Sequence, residues 1–236
     1  NDFSGIPHGS PFAAPRTARR PRIHGIQTAM VMGPAAEEEG IHCDKYGRIK
    51  VHFHWDRVGQ HDDKASCWLR TGQIATGGSM LLPRLSWEVA VAFFEGDPDK
   101  PFCLGRVYNG VHKVPYALPG AAATGAIKGH STPGGGGSNE IKMGDSGGAQ
   151  GFGIKAQKDL NITIGHDKNE EVAVDETHSV KVNMQSNVGS NEKVQIGANQ
   201  SIDIGGNLSN KVGGGQTITV GANENYNSTH HLVEHV

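Results

Sequence analysis

Val188-Gly189-Ser190-Asn191-Glu192-Lys193-Val194-Gln195-Ile196-Gly197-Ala198-Asn199-Gln200-Ser201-Ile202-Asp203-Ile204-Gly205-Gly206-Asn207 is the stretch that decides the fold. A β-branched residue, a small residue and an Asn recur in it every eight residues. Stepping by eights from Ile164 reaches Val172, Val180, Val188, Ile196, Ile204, Val212 and Val220, all Ile or Val. The next position holds Gly165, Ala173, Lys181, Gly189, Gly197, Gly205, Gly213 and Gly221, six of them Gly. Three after the Ile or Val come Asp167, Asp175, Asn183, Asn191, Asn199, Asn207, Gly215 and Asn223. Ile162, Val194, Ile202 and Ile218 add an apolar residue two before the key position.

Each residue class has a physical role in such a unit. Val and Ile suit strands and pack stiffly. Gly permits positive φ or close backbone approach at a corner. Asn and Asp bond to nearby backbone in turns. One strand and one corner per eight residues predicts a β-helix. Its core is thin: Leu, Ile, Val and Phe make up 14 of the 60 residues from 164 to 223. That is close to the floor of about 20% below which chains stay disordered. Burial and strand pairing must then come from elsewhere, and other copies of the chain are the simplest source. The expected assembly over 161–236 is an intertwined, homo-oligomeric β-helix, stabilised between chains.

Composition divides the rest of the 236 residues. Ten of the fourteen Phe, Trp and Tyr lie between Tyr46 and Tyr116, and none falls between Ile164 and Asn223. Twenty-one of the 34 Gly follow Tyr116. A globular core therefore belongs to 41–116. There, Ile49, Val51, Phe53 and Trp55 alternate with polar residues, the period of a strand with one buried face. Cys67–Thr71, Glu88–Phe94 and Phe102–Tyr108 are further strands, and Gly96-Asp97-Pro98-Asp99 is a tight turn between the last two. Several short strands in so short a span predict a small OB-type barrel. The fold class is all-β.

Residues 1–40, rich in Pro and Arg, are expected as an N-terminal arm ending in a short strand within His24–Met32. Residues 117–160, with the run Gly134–Gly137, are expected as a Gly/Pro-rich junction. Net charge is -2, which argues against a nucleic-acid partner. No apolar run approaches the roughly 20 residues of a membrane-spanning helix. The start lacks an initiator Met and a basic-then-apolar leader, so a fragment of a longer protein is expected. Cys43, Cys67 and Cys103 are odd in number with no CxxC spacing, as expected of reduced, partly buried thiols in a protein folded in the cytosol.

A small barrel followed by Val-Gly octads resembles the needle proteins of contractile phage tails. The barrel segments resemble more narrowly the VgrG family, the valine-glycine repeat spike proteins of the type VI secretion system. Asp44-Lys45-Tyr46-Gly47-Arg48, Phe53-His54-Trp55-Asp56-Arg57, Ser66-Cys67-Trp68-Leu69-Arg70 and Pro83-Arg84 carry the resemblance. So do Glu95-Gly96-Asp97-Pro98-Asp99-Lys100-Pro101, Gly105-Arg106-Val107-Tyr108-Asn109, Leu118-Pro119 and Asn139-Glu140-Ile141. Around Leu85-Ser86-Trp87-Glu88 the family usually has a smaller, Gly-containing sequence, so a different loop is expected there.

The resemblance implies a homotrimer with the barrel at the base of a three-chain needle. It implies a spike seated on the type VI inner tube through an N-terminal hub, of which 1–40 is read as the exit segment. The needle would pass transiently through the target-cell membrane, with a PAAR-type cap and effectors at its tip. Assembly in the bacterial cytoplasm and injection across the envelope follow. No cofactor and no enzymatic activity are expected.

Candidate chemistry is weighed on the same residues. His52 and His54 share a strand face, but no third metal ligand is evident, and a polar outer face is the better reading. His230, His231 and His235, tripled in a trimer, could ring an axial ion, but frayed terminal residues are the better reading. Asp97 and Asp99 are turn residues rather than an acid/base pair. Ser66-Cys67 lacks a base, and Trp68 beside it suggests burial. Arg48, Arg57, Arg70, Arg84 and Arg106 either pair between chains or are solvated. The alternatives to a structural needle are a cell-wall or polysaccharide-degrading β-helical enzyme and an ion-binding adhesin. The first wants aromatic clusters that 164–223 lacks. The second is usually built on nine-residue Gly/Asp repeats.

Overall fold

The structure, a computed structural model, describes residues 2–35, 37, 39–225, 227 and 228. The chain divides into two compact units, 1–167 and 168–236. No α-helix occurs among the described residues, and no helix is long and apolar enough to cross a membrane.

In the first unit, five strands form the barrel: β1 (Gln27–Met32), β2 (Lys50–Phe53), β3 (Arg70–Thr71), β4 (Glu88–Phe93) and β5 (Pro101–Arg106). β1 pairs antiparallel with β2, placing Ala29 opposite Phe53 and Val31 opposite Val51. Its other edge pairs antiparallel with β4, Ala29 opposite Val89. β4 pairs antiparallel with β5 across a bulge at Ala90/Val91, and β5 pairs parallel with β3. An antiparallel bridge between Ile49 and Leu69 joins the two ends of the sheet. The ring thus runs β1-β2-β3-β5-β4 and back to β1, with a single parallel pair, which is OB topology.

Alternation decides what lies inside. Ala29 and Val31, Ile49, Val51 and Phe53, Leu69, Val89, Val91 and Phe93, and Cys103 point inward and form one buried cluster with Leu85. The sheet therefore begins at Gln27, in the His24–Met32 stretch expected to hold a short strand, so the barrel takes in the end of the arm. β1 lies between β2 and β4 because inward Ala29 meets an inward residue on each, Phe53 and Val89 respectively. The loop before β4, where a different loop is expected, is shaped by Leu85 and Ser86. Leu85 is buried and presses on Gly33, where a Cβ would lie 2.9 Å from Leu85 Cδ2. Ser86 stands at φ +63°, the region that favours Gly.

The junction expected over 117–160 contains a second sheet. β6 (Thr124–Lys128), β7 (Glu140–Gly144) and β8 (Gly151–Lys155) form an antiparallel meander. Ile127, Ile141 and Ile154 sit opposite one another, and Gly125, Met143 and Phe152 form the next row on the same face. These apolar side chains are exposed in the single chain. The other face carries Lys128 and Glu140, 3.6 Å apart, and Tyr116 lies beneath Lys128 and Lys142. Gly-rich composition hid three short strands whose apolar residues come only one or two apiece.

In the second unit the described residues contain no strand ladder within the chain. Extended segments are instead broken by paired bends at 173–174, 181–182, 189–190, 197–198, 205–206, 213–214 and 221–222, continuing the pair at 165–166. The bends fall directly after the Ile/Val of each octad. An intertwined β-helix pairs its strands between copies, so one chain shows the corners without the ladders.

Candidate functional site

The family-motif residues of the barrel are placed by turns. Asp44 Oδ1 accepts the amides of Tyr46 and Arg48 at 2.9 and 3.0 Å, and its Oδ2 accepts Arg48 Nε at 2.7 Å. Gly47 completes this turn at φ +69°. Desolvation acts to raise the Asp44 carboxyl; the Arg48 side chain and the Arg48 and Tyr46 amides outweigh it, so it titrates below its ordinary value. Asp56 caps its own loop by accepting the amides of Val58 and Gly59, and those bonds, Gly59's first, lower its pKa. Asn109 accepts the amides of Val111 and His112 and donates to Glu88 Oε2 at 2.8 Å. That bond, with Thr28's, holds the Glu88 carboxyl low.

The turn at Gly96-Asp97-Pro98-Asp99 anchors the arm. Gly96 has φ +73°, its carbonyl accepts the Ile23 amide, and a Cβ on it would lie 3.0 Å from the Ile23 carbonyl oxygen. Asp97 is buried, accepts the Asp99 amide and pairs with Arg20 at 2.9 Å. Arg20 and Ile23 therefore dock the arm on the barrel. The acids serve the turn and this ion pair.

The aromatic and basic motif residues spread around the barrel. Trp55 stacks on Phe53 and Trp68 on His42. Tyr46 lies under Lys45 and Arg48. Arg70 lies over Phe94, and Arg106 sits between the rings of Trp87 and Tyr108. Arg84 donates to the His130 carbonyl, and Arg57 is exposed. Arg48 thus pairs within its own chain.

His52 and His54 part company. His52 is buried against the His61 ring, 4.0 Å between centroids, while His54 lies past the end of β2, 3.7 Å from Glu88. The outer face of β2 is covered there by the following loop. Among the described residues no three His, Cys, Asp or Glu are placed to hold a metal ion. His230, His231 and His235 lie outside the described residues. Cys67 is exposed, against the burial expected from its neighbour Trp68; it lies before β3, outside the strand pairing that begins at Leu69. Cys103 faces the core, and burial pushes its thiol up to about 11.

The octad positions form the other candidate site. Ile164, Val172, Val180, Val188, Ile196, Ile204, Val212 and Val220 are 42 to 51% exposed in the single chain. Ile162, Val194, Ile202 and Ile218 are 63 to 72% exposed, and Val174 and Val182 are 86 and 85%. One apolar line per octad is thus set apart, although nothing within the chain covers it.

Known proteins share both patterns. Residues 125–236 match the model of the bacteriophage T4 gp5 C-terminal trimerisation domain. Residues 38–108 match that of the type VI secretion system/phage-baseplate injector OB domain. The type VI secretion system spike protein VgrG4b of Pseudomonas aeruginosa is 46% identical over 171 residues, 71% of this chain and 21% of that protein. The chain belongs to the VgrG family. VgrG5 of the same organism is 45% identical over 171 residues, 71% of this chain and 21% of that protein. VgrG3 of Vibrio cholerae is 41% identical over 158 residues, 66% and 15% respectively. The chain spans about a fifth of the length of the first two VgrG relatives. The trimerisation match opens inside β6, so this VgrG chain counts its three-stranded sheet with the octads. Sequence reasoning missed that sheet, the docking of Arg20 and Ile23, and the Arg106 sandwich. Only the last left a local signal, an Arg two residues before Tyr108.

Proposed function

We propose that the chain is the distal part of a membrane-puncturing type VI secretion spike, working as a homotrimer. The supporting observation is the register of bends: one pair every eight residues, each directly after a half-exposed Ile or Val. Three chains wound on one axis would bury those side chains and pair the extended segments left without partners. The exposed Ile127-Ile141-Ile154 row supports the same reading, because an unpaired apolar sheet face wants a copy against it. The barrel, β1 to β5, and the octads from 161 onward are its two working parts, and the corner residues Gly189, Gly197, Gly205, Gly213, Gly221, Asn191, Asn199 and Asn207 set its edges.

The role proposed is mechanical. The chain carries out no reaction itself. It transmits thrust from the inner tube through a hub, offers its tip to a PAAR-type cap and effectors, and crosses the target membrane after assembly in the cytoplasm. The test is replacement of the matching segment of a working VgrG by this chain in a bacterium with an active system. Delivery of effectors and killing of neighbours are expected, and are lost with Ile204→Lys in the chimaera. A chimaera that assembles a trimer yet delivers nothing would contradict the puncturing role. Turnover of peptidoglycan by the purified chain would contradict the non-catalytic one.

A further inference from the structure

A groove of about 990 Å³ opens between the barrel and the loop joining β6 to β7. Arg84, Arg106 and Lys113 line it, with His112 and His130, and Glu39 is its acidic member among the described residues. Arg106 is held with unusual firmness. Its guanidinium lies 3.4 Å from the Trp87 ring centroid and 4.5 Å from that of Tyr108. Its Nε is buried with no hydrogen-bond partner among the described residues. Arg84 is tied at one terminal nitrogen to the His130 carbonyl, which leaves other donors free to point elsewhere. No carboxylate among the described residues comes within ion-pair distance of Arg84, Arg106 or Lys113, Glu39 included.

Two guanidinium groups and an ammonium in one groove repel each other. Desolvation lowers the Arg106 pKa most, the Tyr108 hydroxyl acts to raise it, and the charge of Arg84 lowers it again. Elsewhere on this barrel Arg20 and Arg48 each meet a carboxylate. Fixed, planar donor forks match the paired oxygens of a carboxylate or phosphate. An anion in the groove would relieve the repulsion.

We propose that this groove is an oxyanion-binding site, in which Arg84 and Arg106 grip a phosphate or carboxylate group and Lys113 closes over it. The inference stands apart from the spike reading, since it needs only the barrel and its neighbouring loop. The group has two possible sources: a free phosphate-bearing molecule, or a carboxylate side chain of a second copy.

Titration of the full chain with inorganic phosphate in chloride buffer, followed by calorimetry, tests it. Lys113→Gln is the mildest variant because Lys113 is exposed. Arg84→Gln removes one fork, and Arg106→Lys keeps the charge while losing the fork. Arg57→Gln, on an exposed residue outside the groove, is the control. Saturable phosphate binding, weakened at least tenfold by Arg84→Gln and Arg106→Lys and unchanged by Arg57→Gln, would establish the free-anion site. Glu39→Gln should tighten it. Absence of phosphate binding, with Arg84→Gln and Lys113→Gln lowering the assembly mass in ultracentrifugation, would assign the group to a second copy. Binding weakened equally by Arg57→Gln would overturn the proposal. So would absence of binding with the assembly mass unchanged in every groove variant.

Discussion

Ile49 and Leu69 exchange both backbone hydrogen bonds, Ile49 amide to Leu69 carbonyl at 2.9 Å and Leu69 amide to Ile49 carbonyl at 2.8 Å. This antiparallel bridge joins the two ends of the sheet. Both side chains are wholly buried. Leu69→Ala would leave a cavity at the seam, at a cost of about 2–5 kcal/mol. A lowered barrel melting temperature in calorimetry, with the octad segment unaffected, is the expected result.

Asp44 should govern acid stability at its turn. Its folded pKa is depressed from 3.8. The stability it contributes is therefore present above the unfolded value and is lost as pH falls through the folded one. Wild type should lose stability below about pH 4. Asp44→Asn should be less stable at neutral pH and should lose less on acidification. Melting temperatures from pH 7 to pH 3 check both the offset and the slope.

The arm and the turn can be tested together at Gly96. A side chain there meets a positive φ and the Ile23 carbonyl oxygen. Gly96→Ala should cost roughly 1–2 kcal/mol for the left-handed backbone alone. It should also speed trypsin cleavage after Arg22, because the Ile23–Gly96 hydrogen bond must yield. Ser86→Gly is the converse case. It relieves the left-handed Ser86 and should raise stability by roughly 0.5–1 kcal/mol in thermal denaturation.

Thiol chemistry should separate the cysteines. All three are free; Cys43 and Cys67 are exposed and Cys103 is buried with its pKa raised to about 11. A disulfide-exchange reagent at pH 8 should label Cys43 and Cys67 in the folded chain. Cys103 should react only after denaturation. Rapid labelling of Cys103 would mean that the core opens.

Legibility tracked periodicity. Ile49, Val51 and Phe53 alternate cleanly, and the strand they announce is β2. Val89, Val91 and Phe93 do the same for β4, and the octads mark each bend of the second unit. Long-range facts left no such trace. Nothing local in Gln27–Met32 says that it sits between β2 and β4, because that depends on the register of distant strands. β6 to β8 each carry one or two apolar residues among Gly and Lys, too few for a period. Cys67 and Trp68 misled for a related reason: the strand pairing starts only at Leu69, so their places depend on the chain's approach to the sheet and not on a local period. At the sites, the turn acids Asp97 and Asp99 were legible from turn chemistry, whereas Asp44 and Asp56 were marked only by the family resemblance. The groove around Arg84 and Arg106 was not, because its residues come from five separate segments.

The central claim is that three copies of Ile204 meet around one axis. Sedimentation equilibrium of the wild-type chain beside Ile204→Lys and Asn207→Lys tests this most directly. The account predicts a wild-type mass three times the 25.0 kDa of the chain, and the same mass for Asn207→Lys, whose charge sits at a corner. Ile204→Lys should lose the trimer, since three ammonium groups would be forced into a dry core. A monomeric wild type, or equal behaviour of the two variants, would contradict the account.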